Sequence, residues 1–152
     1  MNRVGVSADG VPLPPWNASL KKFARTVLAR LGRDKWDLSV LLCGDSTMTA
    51  LNSRYRGREE ATDVLSFMQG ETACPAPLRL AGDIAISLDT LRENARRFRV
   101  SEDEELRRLL IHGILHLDGM DHRSNRKTEP MLQLQERIMA ELAEERIMGR
   151  NG

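Results

Sequence analysis

Apolar residues return every three or four positions in five stretches of this chain, and four others are short apolar runs. Trp16, Leu20, Phe23, Val27, Leu28 and Leu31 predict a first helix that Gly32 can end. A second helix is predicted over GDSTMTALNSRYRG. Asp45 or Ser46 is its cap, Met48, Leu51 and Tyr55 share one face, and Gly57 stops it. SLDTLRENARRF predicts a third helix starting near Ser87, with Arg92, Arg96 and Arg99 on its polar face. Ser101 with Glu104 forms a capping box for ELRRLLIHGILHL, which is apolar on most sides from Leu109 to Leu117 and therefore expected to be central and buried. Thr128 is the expected cap of the last helix, with Pro130 in its first turn and Leu134, Ile138 and Leu142 as its stripe. The strands are RVGV (3–6), DLSVLLC (37–43), TDVLSFM (62–68) and GDIAIS (82–87). QGETACPAPLRLA, between the last two, is rich in turn formers and predicts a loop. Four strands alternating with helices predict an α/β (α+β) sandwich on a small mixed four-stranded sheet.

A length of 152 residues fits one domain spanning 1–152, enough to bury a core without disulfides. With 41% apolar residues, a folded chain is expected. No apolar run approaches the ~20 residues that span a bilayer, and the N-terminal region lacks a secretory layout. The expectation is a soluble cytoplasmic protein with no membrane partner, in which Cys43 and Cys74 are free thiols. The net charge of +1 makes the chain no polycation, so any nucleic-acid site must come from segregated charge. Of its 23 basic residues, nineteen are arginine, the side chain suited to bidentate phosphate contacts.

The sharpest feature is HGILHLDGMDH, residues 112–122, which holds all three histidines of the chain. His112 and His116, four apart on a helix, project from one face one turn apart and can chelate one ion. A continuing helix would carry His122 about 15 Å beyond His112, whereas a metal–nitrogen bond is only about 2.0–2.1 Å. The chain must turn back, and Gly119 stands where a left-handed residue can end the helix. Metzincin metalloproteases share this spacing but carry a glutamate base after the first histidine; here that position is Gly113. Three histidines with an open fourth position make the pattern of a catalytic zinc site. A closed structural site would need a fourth ligand, for which Cys43 or Cys74 is available. Asp118 and Asp121 flank the histidines and could orient the imidazoles.

With Gly113, Gly119, Asp121 and His122 in place, HGILHLDGMDH resembles the signature of the YbeY family of bacterial endoribonucleases. LNSRYRGREEATDVLSF resembles that family's segment from the second helix into the third strand, and LAGDIAIS its fourth strand. In order and spacing the resemblance covers most of the chain; Ala61 and Met68 depart from it, standing where the family often has proline. It implies a metal-dependent RNase, usually with zinc, acting in ribosomal RNA maturation and ribosome quality control. The partners so implied are single-stranded ribosomal RNA, the small ribosomal subunit and assembly factors. It also implies that Arg56, in the YRG segment, binds or activates RNA.

On this reading His112, His116 and His122 hold one divalent ion, most readily Zn2+ with Ni, Cu or Fe open. Arg56 and His112 carry the catalysis. The ion can polarise a phosphoryl oxygen or activate water, and Arg56 opposite it would stabilise charge on the phosphorus oxygens. Arg54, Arg58, Arg92, Arg96 and Arg123 could track a single strand's backbone. Either activated water or the substrate's 2′-hydroxyl is the attacking group. Two other functions stay open: a metallopeptidase using Asp63 or Asp83 as base, and a non-enzymatic ribosome-assembly factor with a structural metal.

Overall fold

The computed structural model describes residues 1–56, 64–68 and 80–149. Four strands, β1 (Arg3–Asp9), β2 (Trp36–Cys43), β3 (Val64–Met68) and β4 (Leu80–Ser87), form one sheet in the order β1-β2-β4-β3. β1, β2 and β4 run parallel, and β3 pairs antiparallel to β4, so the sheet is mixed. The strand alternation sets which residues face which layer. Leu38, Val40 and Leu42 of β2 pair with Gly82, Ile84 and Ile86 of β4 and put their side chains into the larger core. On the opposite face Cys43, Leu65 and Ala85 meet Met48 in a smaller one.

Five helices complete the α+β fold: α1 (Asn17–Arg30), α2 (Asp45–Arg56), α3 (Leu88–Phe98), α4 (Glu102–Leu117) and α5 (Pro130–Glu141). α1 buries Leu20, Phe23, Val27 and Leu28, as its periodicity predicts. α2 supplies Met48 to the smaller core. Asp45 is its first helical residue rather than a cap before it, and its carboxylate accepts hydrogen bonds from Ser87 and Thr90, both at 2.6 Å, tying α2 to the start of α3. Gly57, Asp63 and residues 69–79 lie outside the described residues.

α4 runs through the larger core. Ser101 accepts the Glu104 amide at 3.0 Å, and four acidic residues occupy the positive first turn. Leu110, Ile111, Ile114 and Leu115 are fully buried, each contributing about 1.5–3 kcal/mol of hydrophobic stabilisation. Gly113 lets the helix lie close on the sheet. A Cβ there would come within 3.0 Å of Ile84 Cδ1 and 3.2 Å of Ser66 Oγ, and that hydroxyl donates to the Gly113 carbonyl at 3.1 Å. Beyond α5 the chain folds back so that Ile147 and Met148 are buried. Their amides both donate to Asp103 at 2.8 Å.

Thr128 does not cap α5. The N-cap position is Glu129, and no side chain caps there. Pro130 at the first helical position has no N–H to satisfy, and Glu129 is engaged elsewhere, accepting the Ser124 amide and hydroxyl at 3.1 Å each. β1 also runs to Asp9, because pairing along β2 extends it past the apolar run.

Candidate metal centre

α4 ends in a Schellman turn. Gly119 has φ +93, its amide donates to the His116 carbonyl, and the Met120 amide reaches back to Leu115, both at 3.0 Å. This reversal returns His122 to the helix face that carries His112 and His116. One ligand atom from each imidazole lies within 4.8 Å of the others, so the three could hold one metal ion. His112 Nε2 and His116 Nε2 are 3.1 Å apart, near the ~3.4 Å expected for two nitrogens at tetrahedral positions around zinc.

Each ring is held from behind. His112 Nδ1 faces Gln135 Oε1 at 2.7 Å, His116 Nδ1 faces the Met120 carbonyl at 3.1 Å, and His122 Nδ1 faces the Ser124 carbonyl at 2.8 Å. All three acceptors take a proton from Nδ1, so in the neutral imidazole the lone pair is on Nε2. Burial, with the charges of His112 and His122, lowers the His116 pKa from its usual value. The neutral form needed for ligation is thereby favoured. Two lone pairs facing each other at 3.1 Å repel unless a cation lies between them, so this donor set fits a divalent metal.

Gln135 was not singled out in the sequence. Its signal was there: with Met131, Ile138 and Met139 it occupies the buried stripe of α5, so it is a polar residue at a core-facing position. Asp118 orients no imidazole, because Arg33 holds both its oxygens, Nε at 2.7 Å from one and Nη2 at 3.1 Å from the other. Asp121 is exposed, lies 4.0 Å from His116 Nδ1 and accepts the His122 amide at 2.8 Å, so it shapes the turn. The Schellman turn brings the Met120 carbonyl to the slot that a carboxylate would fill. Cys43 stands apart from the histidines, buried beneath α2, its thiol 3.6 Å from the Ile86 carbonyl. Among the described residues no fourth His, Cys, Asp or Glu joins the group. Cys74 lies outside the described residues, as do Arg58 and Asp63.

Arg56 is the last residue of α2, and its side chain lies outside the described residues. Asp83 sits on β4 and is not one of the clustered groups. Arg54, Arg96 and Arg123 are exposed. Arg92 lies 3.6 Å from Glu102 and 3.9 Å from Asp89. A cleft of about 660 Å³ opens beside the histidines, with His112, His122 and Gln135 on its wall together with Arg97 and Phe98. No helix among the described residues is long and apolar enough to cross a membrane.

Comparison with known proteins agrees with this geometry. Residues 11–143 match the family model described as endoribonuclease YbeY. An endoribonuclease YbeY from Treponema pallidum is 49% identical over 144 residues, covering 93% of this chain and 90% of that protein. One from Persephonella marina is 36% identical over 139 residues, covering 91% of each. The solution structure of a Thermotoga maritima protein superposes with a TM-score of 0.63 at 27% identity, covering 95% of this chain and 91% of that one. The histidine frame, the mixed sheet and the length of these matches lead to one conclusion: the chain belongs to the YbeY family.

Proposed function

We propose that this chain is a metal-dependent endoribonuclease specific for single strands. In this reading it is one domain over 1–152 and works in the cytoplasm on ribosomal RNA (16S 3′ end) processing and ribosome quality control. The small ribosomal subunit and assembly factors are its partners, and Zn2+ is its metal. One observation carries the reading: three imidazoles bring a ligand atom each within 4.8 Å of one another beside an open cleft, each with an acceptor behind its Nδ1. The relatives named as endoribonucleases supply the substrate class.

His112, His116 and His122 hold the metal. When bound, the ion supplies Lewis acidity toward a phosphoryl oxygen and acidifies water. Gln135 fixes the tautomer and tilt of His112, the ligand assigned to catalysis. Arg56 places its guanidinium against the phosphate and stabilises the charge that develops on the phosphorus oxygens. Position 113 supplies no base, since the sheet occupies the space that even a Cβ would need. That crowding weighs against the metallopeptidase reading, whose motif carries glutamate there.

The test incubates zinc-loaded protein with labelled single-stranded RNA, duplex RNA, DNA and casein, each beside His116→Ala. Wild type should carry close to one equivalent of zinc and cut single-stranded RNA, with both properties lost in the variant. Arg56→Ala should keep the metal and the melting temperature but lose most turnover. Full zinc occupancy in His116→Ala would show the site to be misassigned. Cleavage of casein but not of RNA would overturn the reading in favour of a peptidase.

A further inference from the structure

α3 ends in Arg96-Arg97-Phe98-Arg99, a basic run with one aromatic in it. Among the described residues Phe98 is the only exposed phenylalanine or tryptophan, at 57%. Negative charge at a helix C-terminus accounts for arginines there; it does not account for a phenyl ring left in water. Neither Arg96, Arg97 nor Arg99 is ion-paired with a described acid, whereas Arg108 nearby is held by Glu104 and Glu136. Arg97 instead lays its guanidinium carbon 5.7 Å from the centre of the Phe98 ring. Arg99 adopts the left-handed conformation, φ 56 and ψ 44, which glycine takes without steric cost. Position 99 thus carries a cation in a conformation that favours glycine.

Arg97 and Phe98 line the cleft that also exposes His112 and His122. A second hollow of about 660 Å³, bearing Lys127 and Arg137, shares Asn125, Leu132 and Gln135 with it, so the depression continues across α5. Four cations line it, Arg97, Arg108, Lys127 and Arg137, together with Glu105 and Glu136.

We propose that Phe98 is a stacking platform for one base of the single-stranded RNA, with Arg97 taking the adjoining phosphate. The proposal rests on RNA being the substrate of the histidine site. A flat apolar ring flanked by cations suits a nucleotide, because every base offers a π-face and every linkage an anion. Stacking needs an unpaired base, which ties the platform to preference for single strands.

The experiment uses the zinc-loaded full chain and a single-stranded RNA carrying 2-aminopurine at successive positions. Binding is read by fluorescence, KM and kcat by cleavage, both across a salt series. Phe98→Leu keeps the apolar bulk and removes the π-face; it should weaken binding about 5- to 30-fold, mostly in KM, with the salt slope unchanged. Phe98→Trp should restore binding. Arg97→Gln should reduce the salt slope by roughly 0.7, one counterion on a single strand. One 2-aminopurine position should be quenched in wild type and not in Phe98→Leu. If wild type binds and cleaves RNA while Phe98→Leu matches it in KM and quenching, the platform is wrong and the nuclease reading stands. Unchanged RNA binding with lost association to the small ribosomal subunit would make Phe98 a protein contact and overturn the proposal. Failure of wild type to bind RNA would remove both.

Discussion

At the scale of single residues, the candidate site depends on what stands behind each imidazole. Two of the three Nδ1 partners are backbone carbonyls that substitution cannot remove, and Gln135 is the side-chain partner. Gln135→Ala should therefore free the His112 ring and weaken zinc affinity about 10- to 100-fold. Gln135→Glu should keep or raise the affinity, because a carboxylate also accepts from Nδ1–H and increases ligand basicity. Competition with a chromophoric chelator, with thermal melting as a control on folding, checks both. Equal affinity in wild type and Gln135→Ala would mean that the Oε1 contact does not orient the ring. The histidines themselves were legible in the sequence, since their spacing and Gly119 together demand a helix followed by a reversal. The acceptors were not. Asp118 and Asp121 were plausible by proximity in sequence, but acceptor geometry is set by the turn and by α5, which arrive from other parts of the chain.

At the scale of elements, α4 is positioned by close approach to the sheet at Gly113. Adding a methyl there meets Ile84 Cδ1 at 3.0 Å, Ile84 Cγ2 at 3.1 Å and Ser66 Oγ at 3.2 Å. Gly113→Ala should cost about 1–3 kcal/mol of stability through overpacking, read as a lower midpoint of urea unfolding. Adding Ile84→Val, which deletes the Cδ1 that meets the new methyl, should recover part of that loss. A double mutant no more stable than Gly113→Ala would show that the contact is relieved by some other movement. The helices themselves were readable from periodicity, and the Ser87 and Ser101 caps form as the residue types suggest. Thr128 is not the cap because the helix starts one residue later: Glu129 holds the N-cap position, and its carboxylate bonds Ser124 rather than the helix amides. Local propensity cannot weigh such a competition.

At the scale of the molecule, the second core holds a buried titratable group. The Cys43 thiol is pushed up to about 11 from an ordinary 9.0 by burial, with Asp9, Asp45 and Asp89 adding to the shift. A thiol is neutral below its pKa, so the folded state holds this proton more tightly than the unfolded chain does. Below about pH 9 both states keep it, and stability does not depend on pH through Cys43. Between pH 9 and 11 the unfolded chain ionises first and stability falls, by on the order of 2 kcal/mol in all. Cys43→Ala should lower stability by a roughly constant amount below pH 9 and flatten the decline above it. Urea unfolding from pH 8 to 11 measures this; equal slopes in the two proteins would mean that the thiol ionises in the fold as readily as in the unfolded chain.

What the sequence by itself determined was local and periodic. It carried the helices, the strand runs, the glycine turn after α4 and the spacing of three ligands, because 3.6- and 2-residue repeats and a left-handed glycine act over a few positions. Tertiary structure decided the rest. The order β1-β2-β4-β3 places β4 beneath α4, where a Cβ at position 113 would crowd Ile84. The descent of α5 brings Gln135 onto His112 from 23 residues away. The packing of α3 against α4 sets an exposed phenylalanine in the same cleft as the histidines. These are contacts between segments distant in the chain, and their energies depend on which surfaces the fold brings together.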